Sequence, residues 1–306
     1  MKLGRREPKN APRLKLANFL KHEDLKVAVP PQVNYIPAVT TYGLYQNDSY
    51  GVCGPAALSN YLKLVTTILE GTPFTATQAD VFDLYRRSDN PTFDPLTGAG
   101  DNGVDMQTML EAALSGGIGG RRPFAFASVD VNNHAEIKAA IAIFGGVLLG
   151  VDLQTAQSSS IPWDYVVGSE EWGGHAVFAG AYDSDGLGVV SWGSPYDTTE
   201  SFISHRLLEA WVVIFPEHLG TRAFLEGVDL NELADSFEAL TGKPFPSFAT
   251  EPTPYVPPGQ PSPADVELAS AVRQWATKRR HVGEPRVVAE AVRKWLTAKG
   301  LTAKGL

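Results

Sequence analysis

The chain has 306 residues, 43% of them apolar and 10% aromatic, with a formal net charge of -8. That supplies a real hydrophobic core for one large domain or two modest ones and excludes a disordered chain. The only cysteine excludes an intramolecular disulfide framework, and the basic amino terminus lacks an apolar run long enough for a secretory signal or a membrane span. The expectation is a cytoplasmic protein, or one that leaves the cell without such a signal, as by packaging into a phage particle (virion-associated) or by release on lysis.

Residues 1 to 28 carry eight Lys/Arg against three Asp/Glu and show little periodicity, which reads as a basic N-terminal arm that orders only against something else. Pro30-Pro31 closes it, and Val33 to Thr41 has the Val, Ile, Tyr and Thr content of a strand. From Cys53 the apolar residues Leu58, Tyr61, Leu62, Val65, Ile68 and Leu69 recur at three and four, predicting an amphipathic helix stopped by Gly71. A second helix is predicted over Thr77 to Arg87, followed by a loop from Ser88 to Asp101.

Asp101-Asn102-Gly103-Val104-Asp105 lacks the later ligands of a calcium loop and reads as a turn capping a helix that runs to about Leu114. The glycines from Gly116 to Gly120 lack the strand-turn-helix context of a phosphate loop. Further on come a strand at Phe124 to Asp130, a helix at His134 to Phe144 and a buried strand at Gly146 to Leu153. The segment Gln154 to Trp172 is long for a connection and reads as the wall of a site. His175 to Asp183 and Leu187 to Trp192 form a hairpin through Ser184-Asp185-Gly186. A helical stretch from Thr199 to Leu208, a strand from Ala210 to Phe215 and a core helix from Leu230 to Leu240 complete residues 29 to 242. Helices first and antiparallel strands second is the order of an α+β protein.

Lys243 to Pro263 holds eight prolines and reads as a stiff linker. Beyond it, over residues 264 to 306, Ala271-Val272-Arg273-Gln274-Trp275 recurs as Ala291-Val292-Arg293-Lys294-Trp295, which suggests a C-terminal helical hairpin. Residues 263 to 306 carry +5, as does the arm, leaving -18 for the body between them. Basic ends on an acidic body are surfaces for docking onto a protein assembly partner or onto the body itself. No nucleic-acid motif accompanies them, which argues against nucleic acid as a partner.

Cys53 falls at the amino end of its helix, with Pro55 in the first turn, where free N–H groups and the macrodipole favour an anion. A thiolate nucleophile needs a base, a group that orients the base, and donors for the oxyanion. Of the six histidines, His22 and His281 lie in charged segments, and His134 and His218 sit at element ends. His205 fits either surface or core. His175 stands apart, because it opens an apolar strand directly after Trp172-Gly173-Gly174, where two glycines let another backbone come close.

Gly-Val-Cys-Gly-Pro-Ala-Ala at the head of a helix, Gly-Gly-His-Ala-Val at the start of a strand 122 residues on, and Val-Ser-Trp-Gly on the next strand resemble the papain-like cysteine peptidase superfamily. The closest resemblance is to its bacterial and phage branch, and it spans Val33 to Pro216. It implies an α+β papain-like fold, with a helical half carrying the Cys53 helix packed on an antiparallel sheet or barrel half. It implies Cys53 as nucleophile, His175 as general base, and either Asn47 or Gln46 as the side-chain oxyanion donor beside the Cys53 backbone N–H. Trp172, Gly173, Gly174 and Trp192 would border the substrate. The family's orienting Asn aligns with Val190, so the orienter must come from elsewhere on the facing strand; Asp183, eight residues along the same strand from His175, is roughly 26 Å away. Ser191 is named first, then Ser194 and Asp197.

Two functions follow from these residues. One is a cysteine peptidase or amidase that cleaves a peptide or protein substrate through a thioester acyl-enzyme, without a cofactor. The other is a papain-like structural or binding module that docks through residues 1 to 28 and 264 to 306, as in a phage particle. No His-Glu-x-x-His or Cys/His cluster with ligand spacing points to a metal.

Overall fold

The computed structural model describes residues 1–12, 14–21, 29–219, 221–241 and 244–245. All of them belong to one unit of the chain, Met1–Glu251. Most of the proline-rich linker and all of the repeated tail, with the helical hairpin expected there, lie outside the described residues.

The centre is a seven-stranded antiparallel sheet in the order β2-β7-β3-β4-β5-β6, with β1 also paired to β4. These strands are β1 Val33–Asn34, β2 Ala125–Val129, β3 Val147–Gln154, β4 Glu171–Tyr182, β5 Leu187–Ser191, β6 Ser194–Asp197 and β7 Leu207–Ile214. The helices are α1 Cys53–Glu70, α2 Gln78–Arg87, α3 Met106–Gly116, α4 His134–Phe144, α5 Glu200–Arg206, α6 Arg222–Gly227 and α7 Leu230–Thr241.

Alternation along the strands divides the core in two. Leu148, Ala176, Phe178, Val190, Trp211 and Val213 face the layer of α1, α2 and α3. Val147, Leu149, Val177, Ala179, Val189 and Val212 face the layer that contains α4, α6 and α7. Helices therefore cover both faces of the sheet, and α1 lies against its middle strands. Leu58, Leu62, Leu64 and Val65 of α1 are fully buried, each worth about 1.5–3 kcal/mol of transfer free energy.

Local chemistry sets most boundaries where the sequence pattern put them. Thr77 and Asp80 form a capping box at α2, Asp105 caps α3 through the Thr108 N–H, and Gly71 ends α1 in the left-handed region at φ 70°. The strand expected over Val33 to Thr41 is corrected to two residues. Asn34 Oδ1 accepts from the Ile36 N–H, Pro37 cannot donate to a ladder, and Ile36–Ala38 turn as a 3-10 helix. β4 begins at Glu171, so Trp172, Gly173 and Gly174 belong to the strand itself rather than to the loop before it. β6 and α6 carry no sequence expectation, the first because it is four residues long and mostly exposed.

The arm binds the body itself. Leu14, Leu16, Phe19 and Leu20 are buried in the core, and Lys15 and Leu20 bridge to Ser128 and Val228. Upstream, Gly4 and Arg6 pair with Val104 (Val104 N to Gly4 O 2.7 Å, Arg6 N to Val104 O 2.7 Å), while the Arg5 N–H donates to Gly174 O at 3.0 Å. The arm thus joins the loop before α3 to the strand that carries His175.

Candidate active site

Cys53 is the first residue of α1, whose N-cap, Val52, supplies no side-chain cap. The helix start therefore keeps N–H groups free for another acceptor. The backbone N–H groups of Ala176, Gly4, Gly54 and Cys53 itself bear on the sulfur and lower its pKa, but burial outweighs them and pushes the thiol up to about 11. Ala176 adjoins His175, so the sulfur lies against the strand position next to the imidazole. Gly4 puts the arm over the thiol. Its lack of a side chain permits this, since a Cβ on Gly4 would meet Gly51 O at 2.3 Å.

His175 is wholly buried on β4. Its Nε2 lies 2.7 Å from Ser191 Oγ at the end of β5, and its Nδ1 has no hydrogen-bond partner among the described residues. With the hydroxyl as acceptor, Nε2 carries the proton and Nδ1 is the basic nitrogen. Burial alone pulls the imidazole down to about 3. With the arm in place burial favours the neutral thiol and the neutral imidazole over an ion pair.

Trp192 follows Ser191 with φ 47° and stacks on the His175 ring, centroids 4.4 Å apart. It is buried among Trp163, Trp172 and Tyr196. Gly173 and Gly174 lie under the arm: Leu3 lies against the first, and the second pairs with Arg5. Trp172 is half-buried beside Trp192.

The two amides before the cysteine are separated by the backbone. Tyr45 and Gln46 both take positive φ, 52° and 53°, so Gln46 is exposed while Asn47 turns inward and is buried. Asn47 Oδ1 has no partner among the described residues. This loop is clamped to α1 by Asn60, which accepts from the Gly43 N–H at 2.8 Å and donates to Gly43 O at 2.9 Å. Downstream, Asp101 accepts from the Gly51 N–H at 3.0 Å, from Tyr85 Oη at 2.5 Å and from Lys2 Nζ. Asp101, expected from the sequence only as part of a turn, thereby ties the arm, α2 and the segment before Cys53 together.

Ser194 and Asp197, the lesser candidates for orienter, are exposed on β6, and neither bonds to His175. The other described histidines have separate partners. His134 pairs with Glu200, His205 stacks on Tyr165 at the surface, and His218 is buried between the Phe215 N–H and Phe144 O. No group of three or more His, Cys, Asp or Glu among the described residues could hold a metal ion. No described helix is long and apolar enough to cross a membrane.

No protein-family model matches the chain, and no curated protein matches it in sequence. Solved structures do. Xylellain, a cysteine protease from Xylella fastidiosa, superposes with a TM-score of 0.55 at 15% identity, covering 70% of this chain and 96% of its own. A recombinant stem bromelain precursor gives 0.47 at 17%, covering 69% and 76%, and the bromelain protease from Ananas comosus gives 0.47 at 15%, covering 61% and 100%. The fold is papain-like, α+β, with the cysteine helix against an antiparallel sheet.

Proposed function

We propose that this papain-like protein is a cysteine peptidase or amidase, latent while its own residues 2 to 9 occupy the cleft. The observation that carries the reading is the state of His175: Nε2 held by Ser191 at 2.7 Å, Nδ1 buried and unpartnered, and the next residue's N–H on the Cys53 sulfur. The thiol stands at a helix start next to the Ala176 N–H, and the Nδ1 that would take its proton is free, but no Cys53–His175 hydrogen bond is formed with the arm in place. Nucleophilic attack requires that the two groups come within hydrogen-bond reach.

In this mechanism Nδ1 takes the thiol proton as the sulfur attacks the substrate carbonyl. The imidazolium then holds Nε2–H against Ser191 and returns the Nδ1 proton to the leaving amine. The backbone N–H of Cys53 and the Asn47 amide stabilise the oxyanion, and water hydrolyses the thioester. Substrate and Gly4 compete for the same space over the sulfur. Once the arm leaves, water reaches both groups, the burial that favours their neutral forms is relieved, and the helix N-terminus favours the thiolate.

The test is the pH dependence of Cys53 alkylation by iodoacetamide in the full chain, in Gly4→Val and in Gly4→Val/His175→Ala. A Cβ at residue 4 clashes with the Gly51 carbonyl and displaces the arm. Slow labelling in the parent, fast labelling below pH 7 in Gly4→Val and its collapse without His175 are expected. An ordinary thiol titration near 8.5 in Gly4→Val, indifferent to His175, would refute the dyad. The occluded cleft also favours the second reading, a closed binding module. Under that reading Gly4→Val labels no faster than the parent.

A further inference from the structure

Two carboxylates with buried side chains, those of Glu209 on β7 and Asp101 in the loop before α3, each take a cation from the arm. Glu209 is held by Arg5 Nε at 2.6 Å and by the Trp211 indole N–H at 2.8 Å. Asp101 meets Lys2, but its other bonds come from the body. Both of its oxygens receive the Gly51 N–H, at 3.0 and 3.3 Å, and Oδ1 receives the Tyr85 hydroxyl at 2.5 Å. Tyr85 is fully buried on α2, and its oxygen in turn accepts the Gly103 N–H at 2.7 Å. Burial first, and then the Asp101 carboxylate, hold the phenol well above its usual pKa, so it stays a donor to that carboxylate. A charge on Cys53 pushes the same way, which puts the sulfur within electrostatic reach of this cluster.

What the cluster anchors is the start of the nucleophile's helix. The N-cap of α1, Val52, offers no side-chain acceptor, and the first turn has no acidic residue. A helix start ordinarily takes one or the other. Here the acceptor comes from 50 residues away in sequence and holds the residue just before the N-cap. Gly51 fits closely against it, since a Cβ there would stand 3.0 Å from Asp101 Oδ1 and 3.3 Å from Gly103 Cα. On the other side, the first helical bond runs from the Ala56 N–H to Val52 O at 3.0 Å. That carbonyl and the Cys53 N–H belong to one planar peptide unit, so the anchors at Gly51 and Val52 together fix where the Cys53 N–H points. Hydrogen bonds to an oxyanion weaken steeply with misalignment. Lys2 leaves with the arm, whereas the Gly51, Tyr85 and Gly103 bonds remain, so the clamp persists in the open cleft.

We propose that Asp101, itself fixed by Tyr85, is a positioning residue of the reaction centre: through the Gly51 N–H it sets the direction of the Cys53 N–H as an oxyanion donor. The inference rests on the peptidase reading, and the readouts below separate the two.

The experiment uses the full chain carrying Gly4→Val, alone and with Asp101→Ala, Asp101→Asn or Tyr85→Phe. Iodoacetamide alkylation as a function of pH reads the thiolate, because displacement of iodide puts no charge on a carbonyl oxygen. N-acetylglycinal reads the oxyanion donors. The sulfur bonds to the aldehyde carbon, the carbonyl electron pair moves to oxygen, and the thiol proton ends there, giving a hemithioacetal with no leaving group. Asp101→Ala should weaken hemithioacetal formation about 10- to 100-fold, somewhat less than loss of a whole oxyanion donor, while alkylation keeps its midpoint and slows by no more than about 3-fold. Asp101→Asn keeps an acceptor for Gly51 and Tyr85 and should restore most of the loss. Tyr85→Phe removes one hydroxyl, should weaken the adduct by less than Asp101→Ala does, and carries the test should that variant fail to fold. Equal losses in both reactions, or an aldehyde adduct untouched by Asp101→Ala, would overturn the proposal. Amide exchange at residues 51 to 54 is independent of the chemistry, and unchanged protection there in Asp101→Ala overturns the proposal even on an unreactive thiol. Raised exchange beside a thiol that neither reagent finds reactive would sink the peptidase reading alone.

Discussion

Ser191 gives His175 a neutral partner. A hydroxyl oxygen accepting from Nε2 fixes the tautomer but would bring only a dipole to the imidazolium that the proposed mechanism requires, where a carboxylate would bring a full charge. The Trp192 ring stacked on the imidazole adds a packing restraint on its orientation. Ser191→Ala leaves Nε2–H buried without an acceptor. Loss of about 1–3 kcal/mol of unfolding free energy in urea is expected, because a stranded buried donor costs its desolvation. In a Gly4→Val background the alkylation rate at pH 6.5 should also fall, about 3- to 10-fold, the size of one net hydrogen bond. An unchanged rate would mean that packing under Trp192 alone orients the ring.

The segment from Gly43 to Cys53 is held by side chains at three points, Asn60 at Gly43, Gln78 at the Tyr45 carbonyl and Asp101 at the Gly51 N–H. Asn60 clasps both the N–H and the carbonyl of Gly43, so the two left-handed residues that follow, Tyr45 and Gln46, start from a fixed point and deliver Asn47 to the interior. Asn60→Ala should cost about 1–3 kcal/mol in urea and should raise amide hydrogen exchange at residues 43 to 51, with α1 otherwise protected. Protection unchanged over that loop would show that Gln78 and Asp101 hold it without Asn60. The Cys53 helix and the β4–β5 hairpin were legible in the sequence, because periodicity and turn residues act over short spans, and counting back from the hairpin put Ser191 first among partners for His175. Which of Gln46 and Asn47 is buried was not legible, because it turns on two consecutive positive φ values that no glycine announces. Glu209 was hidden for a related reason: a glutamate inside an apolar strand reads as an outward-facing position until its partner, 204 residues away in sequence, is seen.

At the scale of the molecule the acidic body and basic arm are two parts of one surface. Lys2 meets Asp101, Arg5 meets Glu209 and Asp152, and Arg6 and Lys9 meet Asp89. The charge asymmetry was readable from composition, whereas the path was not, since Val104 and Gly174 lie about 100 and 170 residues from the arm that they pair with. Burial of polar groups also sets the acid response. His175 and His218 are both held neutral in the fold, with burial lowering them to about 3 and about 4 from the usual 6.5. A depressed folded pKa means that the unfolded chain binds the proton first. Stability from these two groups is therefore complete above pH 6.5 and drains away as pH falls toward 4, by up to about 2.7 kcal/mol per pH unit when both contribute. Glu209 acts in the opposite sense, because burial raises its carboxyl and the native state takes up that proton more readily than the unfolded chain. His218 isolates the histidine effect, being remote from the cleft and bonded only to backbone, by Nδ1 accepting from Phe215 and Nε2 donating to Phe144. His218→Gln should lower stability at pH 7 and make its decline between pH 6 and 4.5 shallower by close to one proton. Urea midpoints measured across that range in parent and variant read the difference, and parallel curves would mean that His218 is protonated in the fold.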